Sequence, residues 1–315
     1  MKTVILDAST LGDDMNLSVF GEFGSVEVRG TTAPEEVADA LGQADIAVVN
    51  KVRLTEEILL RCPSLRLICV AATGYDNIDL AACKKQGIAV CNVPGYSTES
   101  VAQVTLAMVL SLTTHLTDYQ EYVKSGAYSA SGVANRLIPV YHNLSSMTWG
   151  VVGYGNIGKK VAAIAGTIGC RVLICRKHPT GADHEHDIDT ICKECDVISL
   201  HTPLSDSTRG LIGKARLALM KPSAILINVS RGAVTDEAAV AEAIRNGQIG
   251  GFGSDVYGKE PFGEDHPFYG IRNFSNVCLT PHMAWGSFES RTRCIEVMLG
   301  NIRAFQRGDF TNRIV

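Results

Sequence analysis

The feature that most limits the fold of this chain is an alternation that runs along its whole length. Short runs rich in Val, Ile and Leu are separated by helix-like segments. In the first part, residues 4–6, 26–28, 46–49, 65–70 and 88–93 read as strands, with helices at 34–41, 55–61 and 80–85. In the second part, strands are expected at 148–154, 171–175, 197–200, 224–229, 252–256 and 277–280. Helices fit between them at about 157–168, 187–195, 214–219 and 236–246, and a last one spans about 287–306. Strands this apolar have no polar face to turn to water, so each sheet must be parallel and covered by helices on both sides. At roughly 100–200 residues per domain, 315 residues hold two such sheets. The expected fold class is therefore α/β, with two doubly wound, Rossmann-like parallel-sheet domains.

The two alternations are separated by a long helix-like stretch at 98–124. Ser97 or Thr98 can cap its start, and Gly126 lies just past its end. Its length suits a connection between domains. Residues 125–143 carry no periodic pattern and read as irregular.

Composition removes several classes of function. Lys and Arg number 29 against 33 Asp and Glu, a net charge of −4, which argues against a nucleic-acid-binding face and an anionic-membrane partner. No apolar run approaches the roughly 20 residues of a membrane helix. The start, Met1-Lys2-Thr3-Val4-Ile5-Leu6-Asp7, has too short an apolar stretch for a signal peptide, so a cytoplasmic location is expected. The ten cysteines then read as buried free thiols that pack as small apolar groups. His184, His186, Cys192 and Cys195 can be drawn as a metal cluster. However, Cys192 and Cys195 fall on a short helix that leads into a strand, and no metal is expected.

The first motif with chemistry is Gly153-Tyr154-Gly155-Asn156-Ile157-Gly158, between a buried strand and an apolar helix. Gly153 permits a tight turn, Gly155 admits a pyrophosphate to the backbone, and Gly158 lets the helix pack on the strand. The helix start supplies N–H groups and a dipole that favour an anion. A dinucleotide cofactor is the expected occupant. About 20 residues further on, an acid would bind the adenosine ribose 2′-OH. This chain instead has Arg176 and Lys177 after its second strand, and a guanidinium suits a 2′-phosphate. NADP(H) is favoured over NAD(H), with a solvated pair that accepts either as the alternative.

Three further groups fall just past later strands: Arg231, Glu260 and His282. Ligands of open α/β sheets gather at that end. Arg can grip a carboxylate, His can move a proton to or from a carbonyl oxygen, and a carboxylate can orient that His. The set suits reduction of a 2-oxo acid.

With these residues in view, the chain resembles the D-isomer-specific 2-hydroxyacid dehydrogenase family. The likeness rests on the glycine turn, Asn228-Val229-Ser230-Arg231-Gly232, Gly253-Ser254-Asp255-Val256 and Pro281-His282-Met283-Ala284-Trp285. It extends to Ala72-Thr73-Gly74-Tyr75-Asp76-Asn77-Ile78-Asp79 and Gly95-Tyr96-Ser97-Thr98-Glu99-Ser100-Val101-Ala102-Gln103. It is similar above all to the glycerate dehydrogenase (hydroxypyruvate reductase) branch. The resemblance implies a substrate-binding, flavodoxin-like domain from 1–97 plus 286–315, and a dinucleotide-binding domain from 98–285. Arg231 would bind the substrate, His282 would be its acid and base, and Glu260 would partner His282. Backbone N–H groups around Thr73 and Gly74 would hold the substrate carboxylate. His201, Thr202, Pro203, Val229 and Ser230 would line the cofactor groove, with Asp255 on its nicotinamide side. A homodimer built on 98–143 is also implied. The substrate would be a small unphosphorylated acid such as hydroxypyruvate or glyoxylate. The alternatives are D-lactate dehydrogenase, or a dinucleotide-sensing binding protein of the corepressor kind on the same scaffold.

Overall fold

A computed structural model describes residues 1–309 and 311–315. By its internal contacts the chain forms two units, Met1–Ser97 with Gly286–Val315, and Thr98–Trp285. In the first unit, strands β1 (Lys2–Ile5), β2 (Ser25–Val28), β3 (Ile46–Val49), β4 (Leu67–Val70) and β5 (Ala89–Cys91) form one sheet in the order β2-β1-β3-β4-β5. Every pairing in it is parallel. Helices Val37–Leu41, Glu56–Leu60 and Leu80–Gln86 bury Leu41, Leu59 and Cys83 against Val4, Ala47 and Ile68. The last helix, Phe288–Gln306, packs on β4.

The second unit carries β6 (Thr148–Val152), β7 (Arg171–Cys175), β8 (Val197–Leu200), β9 (Ile225–Asn228), β10 (Gly251–Ser254) and β11 (Val277–Leu279). Their order is β11-β10-β9-β8-β6-β7, again all parallel. The strand order reverses at β6, which makes the carboxyl end of that strand the natural place for a ligand. One face buries Met108, Val109 and Leu112 of helix Thr98–Thr113 with Trp149, Val151 and Ile227. The other buries Ile191, Cys192, Leu217 and Val240 with Ile198 and Leu226. This is the α/β class expected from the alternation, with strand bounds shifted by at most two residues.

The expected long helix at 98–124 is two helices, Thr98–Thr113 and Leu116–Lys124, bent by 65°. The hydroxyls of Thr113 and Thr114 bond back to the carbonyls of Val109 and Leu110, and His115 takes a left-handed φ of 52°. Such back-bonds compete with the helix ladder and bend it. The segment expected to be irregular holds a short helix, Ala127–Ser131, and the first unit has a 3-10 segment, Leu17–Phe23, that the apolar pattern does not announce. No single helix among the described residues is long and apolar enough to cross a membrane.

All ten cysteines are free and eight are buried. Burial pushes the thiols of Cys195 and Cys294 up to about 12 and that of Cys192 to about 11. Thiols this hard to ionise are packing groups rather than nucleophiles.

Candidate active site

The glycine turn leaves the carboxyl end of β6. Gly153 has φ +94°, and a side chain there would stand 2.6 Å from the carbonyl oxygen of His201. A side chain on Gly158 would reach within 1.9 Å of the carbonyl oxygen of Gly153. Both positions are therefore closed to other residues. A β-carbon on Gly155 would meet nothing within 4 Å, so the space in front of the turn is open. Helix Asn156–Ile168 starts there, Gly155 is its N-cap, and among the described residues no side chain caps it. An open cradle and uncapped N–H groups fit a diphosphate. Gly153 N–H donates to the carbonyl of Cys175, which ties the turn to the end of β7.

His201 follows β8 beside this turn. Its Nε2 lies 2.9 Å from the Ser199 hydroxyl, which also accepts the indole N–H of Trp149. Burial lowers His201 to about 3, so the ring is neutral at any ordinary pH. Its Nδ1 is buried without a partner among the described residues. An orphaned ring nitrogen beside the cradle is a further sign that a polar ligand belongs there. Thr202 is half-buried and Pro203 is exposed.

Arg176 stands at the end of β7 with its guanidinium 5.9 Å from the centre of the Tyr154 ring. The expectation that no carboxylate is available at this strand end is corrected by the structure. Glu185, nine residues on, returns to the strand and pairs with Arg176 at 3.3 Å. The sequence interval hid it, because the return is made by a loop rather than by the strand itself. Lys177 is exposed.

The chemical groups of the second unit gather past β9, β10 and β11. After β9, the buried Asn228 accepts the Ser230 N–H and hydroxyl and donates to the Arg231 carbonyl. This fixes the turn that carries Val229, Ser230 and Arg231. An Arg231 Nη1 donates to the Ser230 carbonyl at 2.8 Å. After β10, Glu260 turns back to accept the Tyr257 N–H at 2.9 Å with one oxygen. Its other oxygen lies 2.6 Å from His282 Nδ1. A carboxylate only accepts, so Nδ1 carries a proton and Nε2 is the nitrogen that can exchange one.

His282 sits on a strained turn at φ 53°. The group that holds the turn is Asp255, 2% exposed. Its carboxylate accepts the Thr280 hydroxyl at 2.6 Å, the Met283 N–H at 2.8 Å and the Ala284 N–H at 2.9 Å. Sequence reasoning places Asp255 beside the nicotinamide and misses this role. The signal is an acid at a strand end with the histidine loop one strand over. A second carboxylate, Glu237, accepts the Gly258 N–H at 2.8 Å and pairs with His266 at 3.1 Å, which steadies the loop leading to Glu260.

In the first unit, Thr73 and Gly74 lie in the loop after β4. The Thr73 hydroxyl donates to the Val93 carbonyl, and Asn92 donates to the Thr73 carbonyl, both at 2.8 Å.

Comparison with known proteins decides the family. Residues 106–284 match the model of the D-isomer-specific 2-hydroxyacid dehydrogenase NAD-binding domain. The chain is 37% identical to glycerate dehydrogenase of Methylorubrum extorquens, over 90% of this chain and 89% of that one. The chain belongs to the D-isomer-specific 2-hydroxyacid dehydrogenase family. It is also 32% identical to hydroxypyruvate reductase of Blautia hydrogenotrophica, over 99% of each chain. A solved D-lactate dehydrogenase from Aquifex aeolicus, complexed with NAD and lactic acid, superposes with a TM-score of 0.86 at 30% identity, covering 98% of this chain and 96% of that one. This D-2-hydroxyacid dehydrogenase is thus an oxidoreductase of 2-hydroxy acids that works with a nicotinamide cofactor.

Asp255→Asn puts an amide NH2 against at least one of the three donors it now satisfies. Hydrogen bonds to charged groups are worth about 1.5–3 kcal/mol each. The dehydrogenase variant is expected to unfold several degrees earlier on heating and to turn over more slowly. An unchanged melting curve with unchanged turnover contradicts the clamp.

Proposed function

We propose that the enzyme interconverts D-glycerate and hydroxypyruvate, with glyoxylate as a second 2-oxo acid substrate, and prefers NADP(H). The observation that carries this reading is the His282–Glu260 pair at 2.6 Å, in the same unit as Arg231 and the glycine turn of a family member. D-lactate is the rival substrate, and a cofactor-sensing binding protein is the rival role. A complete acid–base pair, with an arginine past a strand of the same sheet, favours catalysis over sensing.

Each residue has a part. The turn from Gly153 to Gly158, through Tyr154, Gly155, Asn156 and Ile157, holds the diphosphate. His201, Thr202, Pro203, Val229 and Ser230 line the cofactor groove, and Asp255 backs its nicotinamide end through the loop it clamps. When bound, the cofactor supplies or takes the hydride. Arg231 grips the 2-oxo acid with a planar fork that fits a carboxylate. His282 delivers a proton from Nε2 to the carbonyl oxygen in reduction and removes it from the hydroxyl in oxidation. Glu260 accepts the Nδ1 proton and so holds the ring with Nε2 as the nitrogen that exchanges one.

We also read the enzyme as a homodimer in the cytoplasm. Ten free thiols suit a reducing compartment. Among the described residues, eight of the fifteen large apolar side chains that are exposed fall between Leu116 and Tyr141, with Leu137 at 73% and Ile138 at 70%. A patch so concentrated supports an interface there. Light scattering is expected to read twice 33.8 kDa; a monomer mass at assay concentration contradicts this.

NADP(H) preference is supported by Arg176 beside Tyr154 at the cofactor turn. A charge-assisted contact is worth about 1.5–3 kcal/mol, or one to two decades. Hydroxypyruvate is expected to oxidise NADPH with a kcat/KM about tenfold above that for NADH. Arg176→Asp should reverse the order. Equal values for the two cofactors in the unmodified enzyme contradict the preference, and no oxidation by any 2-oxo acid contradicts the activity.

A further inference from the structure

Arg176 does not stand alone at the end of β7. After Cys175 the chain turns through Pro179 and Gly181, the latter at φ +84°, and comes back along the open edge of the strand. The Ile174 N–H donates to the His184 carbonyl and the His186 N–H to the Ile174 carbonyl, both at 2.8 Å. This parallel bridge covers the edge of the sheet, which would otherwise present unpaired backbone groups. It also fixes Glu185 opposite Ile174.

The Glu185 side chain is 5% exposed and holds four donors. It accepts the Thr180 N–H at 2.5 Å, the Thr180 hydroxyl at 2.9 Å, the Gly181 N–H at 3.1 Å and Arg176 Nη1 at 3.3 Å. The arginine contact is the longest of the four. Glu185 is therefore held chiefly by its own loop and would stay if Arg176 moved. Its desolvation is more than offset by these donors, and the carboxyl sits below its usual range. The Arg176 side chain remains one-third exposed, and its guanidinium has N–H groups that Glu185 does not use. A resident anion thus touches the cation at the site where the 2′-phosphate of NADP(H) would bind.

We propose that Glu185 is a specificity-determining residue for the cofactor, a fixed carboxylate that competes with the 2′-phosphate for Arg176 and so lowers the discrimination between NADP(H) and NAD(H). The proposal rests on the reading of Arg176 as the phosphate contact. Two effects of the pair oppose each other. Pairing orders the arginine, which favours any anion that binds it. A like charge beside a phosphate disfavours it. The second effect dominates, because Tyr154 and the strand end already place the guanidinium, whereas the added negative charge repels the phosphate directly.

The test uses two fragments that carry no nicotinamide, adenosine 2′,5′-bisphosphate and 5′-AMP, titrated calorimetrically into the intact protein. The readout is the ratio of their affinities, with the NADPH to NADH ratio of kcat/KM measured alongside. Glu185→Gln keeps an acceptor for Thr180 and removes only the charge. It is expected to raise both ratios about tenfold, the effect of one unfavourable charge contact removed. Arg176→Gln separates the two readings. If it leaves the ratio unchanged, the phosphate reading itself fails. If it collapses the ratio while Glu185→Gln leaves it unchanged or lowers it, the phosphate reading stands and the competition by Glu185 is overturned. Should Glu185→Gln fail to fold, Glu185→Ser removes the same charge and is read in the same way.

Discussion

A buried carboxylate holds the chemistry of this enzyme in place. Asp255 stands at the end of β10 with both oxygens engaged by the loop after β11. That loop must carry His282 at a positive φ, a conformation a side chain resists. Strain of this kind survives only where the surroundings over-determine it. Three donors converging on Asp255 supply that constraint, and the 2.6 Å contact between His282 and Glu260 follows from it. Without the clamp, neither the ring nor its outward nitrogen has a fixed direction.

The same device appears in the other unit. Asp7, at the end of β1 and 5% exposed, accepts the N–H groups of Asn50, Lys51 and Val52 in the loop after β3. Parallel sheets leave a row of loops at their carboxyl ends, and those loops carry the functional groups. A loop cannot bury its backbone N–H groups without acceptors. A short acid at a neighbouring strand end meets that need and fixes the loop at once. The glycine turn solves a related problem by removing side chains: Gly153 and Gly158 let backbone approach backbone where any β-carbon would collide.

Much of this was legible in the amino-acid order. Continuous apolar runs such as Ile46-Ala47-Val48-Val49 and Ile225-Leu226-Ile227 declare buried parallel strands, and the structure buries each of those residues. The glycine spacing declares its turn, because each glycine has a separate steric reason. The pairing of His282 with Glu260 could be expected from the family but not from spacing, since 22 residues and a strand separate them. Asp255 and Glu185 were harder. Two of the three donors to Asp255 are backbone N–H groups, which leave no complementary residue type in the sequence. Glu185 reaches Arg176 only because an irregular loop folds back along β7. The bend at His115 was hidden for a different reason: Thr113 and Thr114 are tolerated in helices, and only their actual back-bonds reveal the break.

The most direct measurement is turnover of hydroxypyruvate by His282→Ala, with cofactor binding followed separately by fluorescence. General acid–base catalysis contributes about 10²–10⁴ in rate. If His282 moves the proton, kcat falls by about 10² or more while the dissociation constant for NADPH changes little. A variant that keeps near wild-type turnover would show that the proton comes from elsewhere, and would overturn the roles of His282, Glu260 and the Asp255 clamp together.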